Sequence, residues 1–507
     1  MRRLIPGIVL ILSTSVLYAQ ERDTVRNPTR YIETVTVQGR RSVPSIIPAQ
    51  TLSGEELERL SANSVADAIR YFSGVQIKDY GGIGGLKTVN IRSMGSQHVG
   101  VFYDGIQLGN AQNGQIDLGR FSLDNMEAVS VYNGQKSSFL QTAKDYASAG
   151  TIYMRTRKPR FEEGKRNNLD VGFKTGSFGT ANPSVLWEHS FGDRLTSSVS
   201  AEYLYTTGRY KFSYTRRDGY DTTEVRRNGD VSALRAEAAL FGTLDNGQWQ
   251  TKVYFYDSER GYPGASVREE PGKFRHEDRQ WDRNIFVQGS FRKNITPSYN
   301  LMINGKYAYD YLRYLSDPRL DVSTMYVDNR YRQHEFYLSA ANEMAIFKWW
   351  SASLSADYQY NTLDADLAEF VYPRRSTLLA ALATSFSWER FRLQGSVLYT
   401  HVSDRTSIGG ASAGSKNEYT PSAVAQYKPL KGHDLSLRAF YKRIFRMPTL
   451  NDLYYTFIGN KYLKPEYTTQ YDGGIVYTRD FTRRSFRRIE IQADGYFNQV
   501  EDKIVAI

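Results

Sequence analysis

Over residues 167–507 the chain alternates apolar and polar residues with a period of two. Trp249 and Val253 fall on one face of such a segment, and Gln250 and Lys252 fall on the other. Successive strand side chains point to opposite faces, so this pattern predicts β-strands with one apolar and one polar face. About fifteen segments show it, each about 10 to 15 residues long, whereas strands of globular proteins usually have ~5–6 residues.

The connections between these segments alternate between short and long. Asp245-Asn246-Gly247 is a hairpin signal, whereas the next connection runs from Ser258 to Arg279. A half-buried soluble sheet shows the same residue alternation, but it has no reason to sort its connections by length. Short turns on one rim and long loops on the other are typical of outer-membrane strands. We therefore predict an all-β, antiparallel transmembrane barrel over residues 165–507.

Composition fits a barrel wall without proving it. The 38 tyrosines and 25 phenylalanines suit aromatic girdles at two membrane interfaces, or ordinary cross-strand packing. The formal net charge is +11, and the basic residues are spread over loops and strand ends rather than a recognition motif. We expect contact with anionic lipid headgroups of the outer membrane, or simple solubility, and no nucleic-acid partner.

The first 41 residues differ in character from the rest. Residues 1–19 have a basic start (Arg2, Arg3), a short apolar run and a small residue at Ala19, which predict a signal peptide. Residues 20–41 form a polar tail that contains the β-prone run Tyr31–Gly39. This run is either the first strand of the next domain or a strand offered to the sheet edge of a partner protein.

Residues 42–160 mix helix and strand signals and predict a small α/β domain of ordinary size. Ser53 and Glu56 have the spacing of a capping box, and Ser64 is a second candidate helix cap. Residues 81–88 nearly spell a phosphate-binding loop, but Leu86 replaces the required glycine and an alternating strand follows. The chain has no cysteine, which excludes disulfides and thiolate sites. The six histidines form no known catalytic motif, and we expect no enzyme activity.

Several motifs resemble those of the TonB-dependent outer-membrane receptors, over essentially the whole chain. The matching segments are Ser64–Arg70 with Ser73-Gly74-Val75, Asn90–Gly95, Val101–Ile106, Met126–Val131 with Gly134, Ser148–Ile152, Phe445–Leu453 and Leu463–Glu466. The resemblance implies that residues 42–160 are a plug inside the barrel. It also implies energised import of a scarce nutrient rather than catalysis.

The resemblance assigns roles to individual residues. The TonB box, which pairs with the periplasmic partner TonB, would be Glu33, Thr34, Val35, Thr36 and Val37. Arg92 and Glu127 would be charged plug residues, although an ion pair at the surface contributes little.

The sequence says less about the identity of the ligand than about the family. Tyr454, Tyr455, Phe457 and Tyr462 are candidate ligand contacts, or they anchor their loop. The resemblance favours cobalamin first and a ferric siderophore or haem second. A non-transporting adhesin or scaffold barrel is the alternative from another class. Asp218, Asp221 and Asp230 offer oxygen ligands for Ca²⁺, although their spacing fits no EF-hand and a solvated loop is the simpler reading; no other cofactor is expected.

The strand count raises a question about length. Outer-membrane transporters of this kind have about 22 strands, whereas about fifteen are readable here. The resemblance, set against this strand count, therefore leads us to expect a partial barrel and a C-terminally truncated receptor, with a non-functional receptor as one alternative.

The β-prone run generates a direct test. Deleting Tyr31–Gly39, or introducing Val35→Pro to remove one main-chain donor, should abolish ligand uptake by cells because strand pairing with TonB is lost. Equilibrium ligand binding to intact cells should stay unchanged, and Val35→Ile serves as the matched control. Unchanged uptake after the deletion would rule out energised transport.

Overall fold

A computed structural model describes residues 11–13, 46–47, 49–60, 62–80, 82–136, 138–215, 219–263, 277–316, 326–430, 434–481 and 488–505. The predicted TonB box lies outside these residues. So does the predicted signal peptide, except for its residues 11–13. No helix in the described ranges is long and apolar enough to cross a bilayer.

The N-terminal elements are one short strand and then a compact α/β unit. Strand β1 (Ile11–Ser13) pairs with the last strand of the large sheet. The α/β unit consists of β2 (Ala49–Ser53), α1 (Glu55–Arg59), α2 (Val65–Ile69), β3 (Val75–Tyr80), β4 (Leu86–Ile91), β5 (Val99–Tyr103), β6 (Ile106–Gln107), β7 (Met126–Tyr132) and β8 (Gly150–Thr156). Its main sheet has the order β2-β7-β8-β5-β6, with β5 and β8 parallel, and β3 and β4 form a separate hairpin.

Helix α2 forms where the sequence predicts it because its first turn is capped. The Ser64 side chain accepts a hydrogen bond from the amide of Asp67, which satisfies one of the free donors at a helix start. The apolar residues of α2 are buried against Val129 and Ile152 of the sheet in one hydrophobic cluster. The same cluster also contains Tyr254 and Phe286 of the large sheet, so this core is shared by the two parts of the chain.

Residues 167–501 form the wall. Its strands are β9 (Asn167–Gly176), β10 (Thr180–Gly192), β11 (Leu195–Thr206), β14 (Val231–Leu244), β15 (Gly247–Pro263), β16 (Glu277–Thr296), β17 (Tyr299–Ser316), β18 (Val327–Phe347), β19 (Trp350–Ala365), β20 (Arg374–Ser387), β21 (Phe391–Arg405), β22 (Ser415–Tyr427), β23 (Asp434–Arg446), β24 (Glu466–Asp480) and β25 (Arg488–Glu501). These fifteen strands follow one another in order within one antiparallel sheet, with β1 beside β25. The predicted antiparallel wall of about fifteen strands is confirmed.

Two details differ from the sequence prediction. The long connection after β11 contains a hairpin of its own, β12 (Lys211–Thr215) and β13 (Asp221–Val225). Several strands are also longer than expected; β18 has 21 residues. About 9–11 residues cross a bilayer, so the surplus extends the strands beyond the membrane, where they still pair with their neighbours.

The two faces of the wall differ as the alternation predicts. On β17, Asn304, Lys306 and Ala308 are buried on the inner face, whereas Ile303 and Tyr307 are exposed on the outer face. Aromatic rings stack at the rim with the short turns, where the ring centroids of Trp350 and Phe386 lie 6.1 Å apart. An outer apolar band that ends in aromatic residues is the arrangement of a membrane barrel.

Buried ion pairs hold the α/β unit inside the wall. The Lys252 ammonium of β15 lies 2.9 Å from a carboxylate oxygen of Asp104 and 3.2 Å from one of Glu237. The Tyr103 hydroxyl also donates to Glu237, over 2.8 Å. Asp104 and Tyr103 belong to the plug, and Glu237 belongs to β14. The Lys252 ammonium therefore links the plug to strands β14 and β15.

Replacing this cation should loosen the plug. Lys252→Met leaves two carboxylates buried without a counter-charge, and losing one partner of a buried pair costs about 3–5 kcal/mol. We expect a lower urea midpoint for plug unfolding and faster proteolysis of residues 82–136 in the folded protein. Lys165→Met is the matched control, since its pair with Glu162 is exposed; equal stability of the two variants would contradict this view.

Candidate ligand site at the outer loops

Three long connections of the wall meet one turn of the plug. We call this set the outer cluster: residues 366–373, 406–414 and 447–465, together with the plug turn 110–114. Its apolar centre is made of side chains from the wall and the loops. They are Tyr331, Leu363, Ala365, Phe370, Leu450, Leu453 and Tyr454, with Ala111 of the plug packed against them.

The loop 447–465 begins with a short, well-capped helix, α3 (Leu450–Tyr454). The Thr449 side chain accepts the amide of Asp452 over 3.1 Å, and Asp452 accepts the amide of Thr449 over 2.8 Å. This reciprocal capping box satisfies donors at the helix start and fixes the direction in which the chain enters α3. The loop therefore has a defined conformation at its base.

A buried ion pair attaches that base to the wall. Arg375 donates two hydrogen bonds to Asp404, of 2.7 and 2.9 Å, and a third of 2.8 Å to the carbonyl of Pro448. The Tyr454 hydroxyl donates to Asp404 over 2.9 Å and accepts the amide of Ala413 over 3.0 Å. A bidentate arginine–carboxylate pair is strong and directional, so loop 447–465 and loop 406–414 are held together.

The four predicted ligand residues lie in one loop but in different environments. Tyr454 is only 6% exposed and is bound to Asp404, so it anchors the loop. Tyr455 is half-buried and its ring packs edge-on against Phe457, with centroids 5.6 Å apart. Phe457 and Tyr462 are 60% and 80% exposed. The surface that a ligand can reach is therefore the loop tip around Phe457 and Tyr462.

The plug turn beneath this loop is preformed. The side chain of Asn110 accepts the amides of Gln112 (3.1 Å) and Asn113 (3.2 Å), and its carbonyl accepts the amide of Gly114 (2.9 Å). Gln112 also exchanges hydrogen bonds with Gln333 of β18. An asparagine that bonds its own following amides builds a rigid local turn, which presents Asn113 outward.

The predicted metal ligands are not brought together by the described residues. Asp218 lies outside them. Asp221 accepts the Thr215 hydroxyl (2.8 Å), and Asp230 accepts a hydrogen bond from Arg279 (2.8 Å), which lowers the pKa of that carboxyl. Within the described ranges no group of three acidic or histidine side chains has a metal-binding arrangement. A Ca²⁺ site in this loop stays a prediction.

The two predicted plug charges have different surroundings. Arg92 forms a buried ion pair with Asp472 of β24, and its guanidinium lies 4.5 Å from the ring centroid of Tyr496. Glu127 pairs with Arg155 (3.1 Å) and Arg160 (3.2 Å), which are both well exposed. Arg92 thus connects plug and wall, whereas Glu127 makes the kind of surface pair that contributes little.

Sequence reasoning missed Arg375, Asp404 and His98. His98 of the plug lies 3.0 Å from Glu466, which also accepts a hydrogen bond from Arg446 over 2.6 Å. For Arg375 and Asp404 the sequence does hold a signal, because the period-two alternation of their strands places both side chains on the inner face. The alternation does not give the register between strands, which places Arg375 beside Asp404, 29 positions away. Only the structure of the sheet shows that pairing.

Comparison with known proteins identifies the class. The plug-domain model of the TonB-dependent receptors matches residues 41–144, and the model described as TonB-dependent receptor-like β-barrel matches residues 324–507. The plug inside an antiparallel wall is the structure that these two models describe. The chain belongs to the TonB-dependent receptors, which are outer-membrane uptake proteins and not enzymes.

Solved structures of this family share the fold at low identity. The copper transporter OprC is 16% identical, with a TM-score of 0.66, over 89% of this chain and 71% of that chain. The FrpB iron transporter from Neisseria meningitidis is 11% identical (TM-score 0.68; 90% and 77%). The ferric yersiniabactin receptor FyuA from Yersinia pestis is 13% identical (TM-score 0.64; 90% and 72%).

The anchor of the outer loop can be tested with neighbouring arginines. Arg375→Met leaves Asp404 buried without its cation, which costs about 3–5 kcal/mol when one partner of a buried pair is removed. We expect faster hydrogen exchange of residues 447–455. Arg374→Met is the matched control because Arg374 is exposed on the same strand. Equal exchange in both variants would show that the ion pair does not hold the loop.

Proposed function

We propose that this receptor binds a scarce, metal-bearing organic molecule at the outer cluster and imports it across the outer membrane with energy supplied through TonB. The observation that carries the proposal is the exposed aromatic tip of loop 447–465, which lies on the same loop that contacts the plug turn. Aromatic rings offer large, rigid contact area at low entropic cost. Such a surface suits flat or ring-rich ligands.

Two classes of ligand are candidates for this surface. Resemblance of the plug motifs and of Leu463–Glu466 favours cobalamin. The relatives of similar fold are described as iron, copper, haem and siderophore receptors, which supports a ferric siderophore or haem. All these molecules present a metal within a large organic framework. We therefore propose a ferric siderophore or haem as the first candidate ligand, and cobalamin is measured separately in the binding experiment.

TonB pairing is proposed through Glu33–Val37, which lies outside the described part of the chain. Support comes from the family, whose members act with TonB, and from the β-prone run in an otherwise polar tail. An adhesin or scaffold with the same wall is the alternative. It needs neither a small ligand nor TonB, so binding and uptake measurements separate it from a receptor.

The ligand proposal is tested by binding to the purified receptor. Phe457→Ala and Tyr462→Ala should each weaken binding of the true ligand by about ten-fold or more, which corresponds to ~1.4 kcal/mol. Tyr220→Ala is the control, since Tyr220 is also exposed but belongs to the β12–β13 hairpin loop. Ferric siderophores, haem and cobalamin are titrated in parallel. If none of them binds more tightly than micromolar, the proposal that this receptor takes up a scarce nutrient is refuted.

A further inference from the structure

The outer loop is joined directly to the plug by main-chain hydrogen bonds. The amide of Leu450 donates to the carbonyl of Ala111, and the amide of Asn451 donates to the carbonyl of Gln112, each over 2.9 Å. A Cβ placed on Gly114 would lie only 2.9 Å from Cγ2 of Thr449. Loop and plug turn are therefore in close contact over three successive loop residues.

These two bonds complete the start of α3. The first amides of a helix have no partner within the helix. Thr449 supplies the acceptor for Asp452, and the plug supplies those for Leu450 and Asn451. If the plug turn moves away, α3 loses two of its N-terminal acceptors and becomes less stable. Movement of the plug and the conformation of the outer loop are thus linked.

We propose that α3 is a latch: it holds the plug turn 110–114 at the outer rim and must release that turn before the plug can move during import. The latch is fixed to the wall through Tyr454 and Asp404. The plug is held at a second point, where His98 meets Glu466 at the end of the same loop. The first contact belongs to loop 447–465, and the second is made by Glu466, the first residue of β24 directly after that loop.

The latch lies in the loop that carries the proposed ligand surface, so this inference rests on the proposed function. The tip contacts its neighbours through Thr456, which donates to the carbonyl of Ala368 (3.2 Å), and Lys461, which donates to that of Gly410 (2.7 Å). A ligand seated on the tip therefore acts on the segment that continues into α3. Ligand contact and plug contact lie on the two sides of one short helix.

A disulfide across the latch tests the inference. The chain has no cysteine, so Gly114→Cys with Thr449→Cys can form only one intramolecular bridge. The oxidised receptor should bind ligand within about two-fold of the same double variant in its reduced form and lose at least about ten-fold of its uptake relative to that form. Reduction should restore uptake. Each single cysteine variant controls for the positive φ of Gly114, +71°, and for the lost cap of Thr449.

The outcomes distinguish the latch from the proposed function. Wild-type uptake by the oxidised, fully bridged receptor would overturn the latch, as would loss of ligand binding on oxidation alone. Failure of the unmodified receptor to bind or import any candidate ligand would instead overturn the proposed function.

A second measurement needs no bridge. In the unmodified protein, the Leu450 and Asn451 amides should be protected from hydrogen exchange without ligand. They should exchange at least about ten-fold faster when a soluble TonB fragment and ligand are added. Unchanged protection under those conditions would also overturn the latch.

Discussion

The structure depends on one constraint: the charged inner face of the wall must find its partners on the plug. Lys252 and Arg260 are buried on that face, and a buried charge is tolerated only when it is paired and hydrogen-bonded. Asp104 and Asp117 of the plug supply two of the partners. Plug and wall are therefore joined by paired charges as well as by the apolar clusters that they share.

The proposed import requires a firmly held plug to move, and the polar part of its contacts with the wall bears on how it could do so. Plug and wall share apolar clusters, but many of their contacts are hydrogen bonds and ion pairs, whose partners water can replace. Arg260, for example, donates to the carbonyl of Gly84 over 3.0 Å and pairs with Asp117 at 3.3 Å. Water can take the place of such a partner once the site opens, although losing the partner while the charge stays buried is costly. Under the proposed mechanism, a pulling force would break these polar contacts one after another.

The alternation along the chain predicted the wall well, because the face on which a strand side chain lies depends only on its position along that strand. The strands and the inner position of residues such as Lys252 follow from it. The site was less predictable. Tyr454 and Tyr455 are adjacent and chemically alike, yet one is buried against Asp404 and the other is half-buried on the surface side, because α3 ends between them. Only the paired register of the strands brings Arg375 to Asp404, and that register is not a local property.

The most direct test of the account is a structure of the receptor with its ligand in a lipid nanodisc, determined by electron cryo-microscopy. The account predicts ligand density against Phe457 and Tyr462, above the plug turn 110–114, with the plug inside the wall and Lys252 bound to Asp104. Ligand density elsewhere, with the outer cluster unoccupied, would contradict it.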